Sequence, residues 1–200
     1  MSKRRLGVGA LLLMSLAVPA AAQVSTSPGY SFLQAVRERD GGKVTELIEQ
    51  PGSNVVNYRD DRGDAGLHLV VGQRDLTWLR FLLGKGADAN IANRAGDTPL
   101  ILASRIGFAE GADLLLARGA EVDRTNRRGE TALIIAVQQR NLPLVRLLAE
   151  RGANSNKTDN ATGRSARDYA KMDSRGPEML RLMDAAKAAK KPLTIAGPKL

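Results

Sequence analysis

One histidine, His68, and no cysteine stand among 200 residues. Those two counts decide most of the chemistry open to the chain. Thiolate nucleophiles, disulfides and cysteine-ligated zinc are excluded, and so is any site with several histidine ligands. A serine–histidine–aspartate relay could use only His68, and nothing resembling a nucleophile-bearing turn accompanies it. The aspartates are dispersed through turn-like stretches, with neither a paired-carboxylate spacing nor a calcium-loop spacing. The 20 glycines never assemble a phosphate-cradling loop. The expectation is a chain that is not an enzyme, with no catalytic residues, no cofactor and no metal.

What is left for recognition is charge, and most of the excess charge sits at the two ends. The chain carries 30 basic and 21 acidic residues, a net +9. Lys3, Arg4 and Arg5 lie at the start, and Lys187, Lys190, Lys191 and Lys199 follow the last acid, Asp184. Without these seven the body holds 23 basic residues against 21 acidic ones. A nearly neutral body argues against nucleic acid as the partner. Hydrophobic residues form 43% of the chain and aromatics 4%, so the core must be mostly Leu, Ala, Val and Ile.

The N-terminus reads as an address. Met1–Arg5 is basic, Leu6–Val18 is apolar, Pro19 breaks the run, and Ala20-Ala21-Ala22 supplies small residues for cleavage. The apolar run has 13 residues, whereas a spanning helix needs about 20. The expectation is a secretory signal over 1–22, a mature chain beginning at Gln23, no membrane span after cleavage, and a periplasmic or secreted location.

The body repeats. Gly63, Gly96 and Gly129 are 33 residues apart, and Gly163 follows after 34. Gly86-Ala87-Asp88, Gly119-Ala120-Glu121 and Gly152-Ala153-Asn154 keep the same step, each preceded by leucines (Leu82-Leu83, Leu114-Leu115-Leu116, Leu147-Leu148). The period reads as turn, helix, loop, helix. In Gly96-Asp97-Thr98-Pro99-Leu100, Thr98 can cap a first helix and Pro99 suits its first position. Gly107 divides the helices, and Gly119 can end the second in a left-handed conformation. Such short helices cannot bury their apolar faces alone, so the units must stack.

These residues resemble the ankyrin repeat. Its G-x-T-P-L-H-x-A pattern appears as Gly96–Ala103, again as Gly129–Ala136, more weakly as Gly63–Val70, and in a terminal form as Gly163–Ala170. Phe32–Val36 and Val44–Ile48 look like the two helices of an N-terminal cap. The resemblance implies an all-α solenoid of stacked helix-turn-helix units over 30–186, about five units with two of them caps. A short linker, 23–29, precedes it, and a basic tail, 187–200, follows and is expected to be disordered. At the family's histidine position, His68 is expected to bond between loops, and Trp78 to pack. Repeat two departs from the pattern with Ala65-Gly66 where a cap and a proline belong, and with Val70-Val71 where small residues are usual. The connection Pro51–Arg59 is about two residues long in excess, and Arg167 replaces a core leucine.

The resemblance further implies binding of another protein through a concave face and the turn tips. In this register the tips bear Asp61, Arg62, Asp64, Arg94, Asp97, Arg127, Arg128, Glu130 and Arg164, and the exposed side of the first helices bears Gln73, Arg105, Ile106, Gln138 and Gln139. Six of these 14 are arginine and four acidic, so the preferred partner is a protein with an acidic patch. An inhibitor, immunity or stress-protective partner of one specific enzyme is the alternative. Self-association by end-to-end stacking is disfavoured by the basic final helices, so a monomer is expected.

Overall fold

The computed structural model describes residues 27–189. The signal expected over 1–22, the start of the linker and the tail beyond residue 189 lie outside the described residues. Within them, helices come in pairs: α1 (Pro28–Glu38) with α2 (Gly41–Glu49), α3 (Gly66–Gly72) with α4 (Leu76–Gly84), and α5 (Pro99–Arg105) with α6 (Ala109–Ala117). Then come α7 (Ala132–Gln138) with α8 (Leu142–Glu150), and α9 (Ala166–Lys171) with α10 (Gly176–Ala189). The odd-numbered helices stack on one another in one layer, and α4, α6, α8 and α10 stack in a second. This is the all-α repeat solenoid. The surplus residues of the first connection form a 3-10 turn, Val55–Asn57. Both outer bounds shift: α1 starts at Pro28, within the expected linker, and α10 runs to Ala189, into the expected tail.

Local signals explain where the helices start. Thr98 and Thr131 each accept a hydrogen bond from the N–H three residues on, at 3.2 Å, and Ser165 does so for Asp168. Asp40, Asp75 and Asn141 cap α2, α4 and α8 in the same way. Each cap satisfies one backbone donor that the helix leaves free. Ala65 has no oxygen to offer, and α3 begins without a side-chain cap. The second helices end as expected, with Gly86, Gly119 and Gly152 at positive φ. The next alanine N–H bonds back to Leu82, Leu115 and Leu148, closing the turn.

The core is continuous along the stack. All residues from Ala132 to Val137 of α7 are buried, because α5, α9 and α8 close around that helix. A helix apolar on every side has to sit between others, and a fully buried side chain such as Leu133 or Ile134 is worth about 1.5–3 kcal/mol. The last pair is different. α10 buries Met179, Met183 and Ala186 and leaves its other side open. Arg167 on α9 does not simply face water. It is half-buried, and its guanidinium bonds Asp184 of α10 at 2.6 Å, so α10 supplies the counter-charge for the missing leucine. Trp78 is half-buried against the core and meets Phe81 edge to face, with ring centroids 5.1 Å apart.

Candidate functional site

Each turn tip is organised by one side chain. Asp60 Oδ1 accepts from the backbone N–H of Arg62 (2.9 Å) and of Asp64 (3.0 Å). Asn93 does the same for Ala95 and Asp97, and Asn126 for Arg128 and Glu130. In the fourth tip Asp159 accepts from Thr162 and Gly163. Burial pushes the Asp159 carboxyl up, but those N–H donors and the Tyr169 hydroxyl at 2.5 Å outweigh it and hold the group below the usual range.

The tips are then joined edge to edge. The N–H of Arg94 donates to the carbonyl of Arg62 at 3.0 Å, Arg127 to Ala95 at 3.0 Å, and Asn160 to Arg128 at 2.8 Å. This junction explains the strict glycine period. Gly96 has φ 80, and a Cβ there would lie 2.7 Å from the Arg127 nitrogen. Gly63 and Gly129 face the next tip at 2.6 and 2.7 Å in the same way. The position demands both a left-handed backbone and the absence of a side chain.

The carboxylates of the tips point into this framework. Asn93 Nδ2 donates to Asp64 Oδ1 at 2.9 Å, and Asn126 Nδ2 donates to Asp97 Oδ1 at 2.9 Å and Glu130 Oε2 at 2.8 Å. Arg105 bonds Asp97 at 2.8 Å and lies 3.9 Å from Glu130. Of the four acids assigned to the strip, Asp64, Asp97 and Glu130 are therefore half-buried structural acceptors, and only Asp61 is exposed. Arg105 is the counter-ion of Asp97 and Glu130, and Ile106 packs against the core. Gln73 accepts from Arg39 at 2.9 Å, Gln139 donates to the Arg105 carbonyl at 2.5 Å, and Gln138 is exposed.

The arginines stay outside. Arg62 is 76% exposed and only 3.6 Å from Asp64, and Arg128 is 60% exposed beside Glu130. Arg94, Arg127 and Arg164 are exposed and make no ion pair with the described residues. Arg94, Arg105, Arg127 and Arg128 line a shallow groove of about 440 Å³ between the second and third tips. The edge is thus more cationic than its composition: three of its four acids are turned inward while most of its arginines are not.

Three features escape sequence reasoning. Asn57, Asn90 and Asp123, at a 33-residue step, each accept from an N–H 31 residues on, at 2.7–2.8 Å, forming a second ladder behind the tips. The same step relates Arg74, Gly107 and Arg140, all at positive φ. There Arg74 donates forward to the carbonyl of Gly107 at 2.9 Å, and Arg140 to Asp173 at 2.7 Å. Both rows were readable as further 33-residue coincidences. The third feature is aromatic. Tyr30 and Tyr58 are 49% and 37% exposed and line a groove of about 560 Å³ with Arg37, Asp60, Asp61 and Arg62 at the first tip.

His68 is a structural bridge. It is 3% exposed; its Nδ1 accepts from the N–H of Ala65 at 3.1 Å, and Nε2 lies 2.9 Å from the carbonyl of Asp97 in the next tip. That pairing requires the neutral ring with its proton on Nε2. Burial pulls the imidazole below its usual value, opposed in part by the bond to Asp97.

Comparison with known proteins agrees with this architecture. A family model described as ankyrin repeats (3 copies) matches residues 32–126, 67–159 and 112–188. An ankyrin repeat protein of Acanthamoeba polyphaga mimivirus is 31% identical over 88 residues, 44% of this chain. The match spans only 12% of that protein's length.

Proposed function

The chain belongs to the ankyrin-repeat family, and we propose that it is a non-enzymatic module that binds another protein along its turn tips and the adjoining face of the first helices. Ankyrin repeats are in general protein–protein interaction modules. The observation that carries the reading here is the row of exposed tip arginines over inward-turned acids. Arginine is suited to such a role, because its planar fork bonds carboxylates two at a time and its stem covers apolar surface. Tyr30 and Tyr58 extend the same edge with the residue type that most often anchors an interface. No helix among the described residues is long and apolar enough to cross a membrane. The basic, apolar and small-residue layout of 1–22 supports export, and we place the mature chain in the periplasm or outside the cell.

The test is affinity capture from a periplasmic extract with the chain as bait. The control bait carries Arg94→Glu, Arg127→Glu and Arg164→Glu. The side chains of these arginines make no ion pair with the described residues, whereas reversing Arg105 would set an acid against Asp97 and Glu130. The expected result is a protein retained by the native bait and lost by the control, with unchanged circular dichroism. Equal recovery by both baits would move the interface away from the tips.

A further inference from the structure

We infer that the partner is held through an extended acidic segment whose carboxylates recur every third residue, laid across the tips at Arg94 and Arg127. The inference deepens the protein-binding reading and rests on it. Arg94 and Arg127 occupy equivalent positions one repeat apart, and the main-chain bonds that tie each tip to the next hold their backbones in register. Packed helices lie about 8–10 Å apart, so their guanidinium groups emanate from points at that pitch. An extended segment in the polyproline-II conformation turns once every three residues and advances about 3.1 Å per residue, so every third side chain returns to the same face at about one pitch. Arg62 and Arg128 lie one position further along their own tips and broaden the row on either side.

The inward acids decide the class of ligand. With Asp64, Asp97 and Glu130 held beneath the tips and a body of 23 basic against 21 acidic residues, the positive field is local rather than broad. A polyanion such as nucleic acid gains affinity from many cations along its path. Discrete carboxylates that meet individual arginine forks suit this edge better. The groove between the second and third tips, about 440 Å³ and shallow, fits side chains from a passing extended segment rather than an enclosed small molecule.

The test is fluorescence anisotropy on the full chain with a labelled twelve-residue peptide, four repeats of Glu-Ser-Gly. Comparison probes are the Gln-Ser-Gly peptide, a peptide with the four glutamates consecutive, and a twelve-nucleotide oligo-dT. The spaced peptide is expected to bind at least about tenfold more tightly than the glutamine version, equivalent to about 1.4 kcal/mol. It should also bind more tightly than the clustered peptide. Arg94→Glu with Arg127→Glu should remove that advantage, while Arg118→Glu, just past the end of α6, with Arg146→Glu, on α8, should change binding less than twofold. Spaced-peptide binding that survives the tip reversal overturns the inference, as does oligo-dT binding more tightly through the same arginines. A captured partner that depends on the tips but contacts them with no acidic segment also overturns it and leaves the protein-binding reading standing. Loss of tip-dependent capture removes both.

Discussion

Single positions carry different loads in this repeat. Gly96 and Gly119 both have positive φ, but only Gly96 is pressed against a neighbouring backbone, while nothing lies near a Cβ at Gly119. Gly119→Ala is expected to cost about 1–2 kcal/mol from the left-handed backbone alone. Gly96→Ala should cost clearly more, because the Arg127 nitrogen must also move; paired chemical denaturation of the two variants reads the difference. Ala65→Thr should raise stability by about 1 kcal/mol by restoring the missing cap of α3, which corresponds to about 2–4 °C in Tm. Gly66→Pro should not add to it. A Cβ there already meets Leu82 and Phe32 at 3.2 and 3.3 Å, so the packing that suits glycine resists the proline the repeat pattern would favour. His68 supplies a pH dependence with a definite sign. Its folded value lies below the unfolded one near 6.5, so its contribution is whole above about pH 6.5 and declines as the pH falls towards the folded value. Thermal melts from pH 7.5 to 5 should show this decline, and His68→Gln should flatten it while lowering stability throughout.

Helices at the ends of the array depend on fewer neighbours than those inside it. α7 is enclosed by α5, α8 and α9, whereas α10 is held by α8 and α9. Met183, 4% exposed, is central to that contact. Met183→Ala is expected to cost about 2–5 kcal/mol, and the loss should be local. Hydrogen exchange should accelerate first over 159–189 and only later over 28–105, as nearest-neighbour stacking requires. Leu133→Ala in α7 removes a comparable volume from the middle of the stack and should lower protection on both sides of it. Exchange that rises uniformly in the Met183 variant would show the array to be more cooperative than its contacts imply.

The molecule as a whole separates its stabilising charges from its presenting charges. Arg105, Arg140 and Arg167 are bound to Asp97, Asp173 and Asp184, and they tie helices and tips together. Arg94, Arg127 and Arg164 make no such ion pair with the described residues. Changing all three to Glu is therefore expected to shift Tm by no more than about 1 kcal/mol in equivalent stability while abolishing tip-dependent capture. Arg105→Glu should do the reverse and lower Tm. Association through the tips should also weaken as salt is raised, since exposed charges beyond about 8 Å are screened at 0.15 M.

The 33-residue recurrence of glycine, capping threonine and leucine was enough to specify stacked helix pairs. Each of those residues acts on its own turn or on the helix that follows it, and local chemistry is legible along the chain. Trp78 as a packing residue was legible through its place in the period, and His68 as a bridge between loops only through the resemblance to the family whose histidine position it holds. The character of the binding edge was not. Asp64, Asp97 and Glu130 are indistinguishable in sequence from solvated turn acids; the stacked neighbour brings Asn93 to Asp64, Asn126 to Asp97 and Arg105 near Glu130, while Asn126 and Arg105 also bond the acid of their own repeat. The sign of the tip surface and the rescue of Arg167 by Asp184 were settled by tertiary structure. So was the refusal of a proline at Gly66. In each case at least one deciding partner lies 16 or more residues away in the chain, beyond the reach of any local rule.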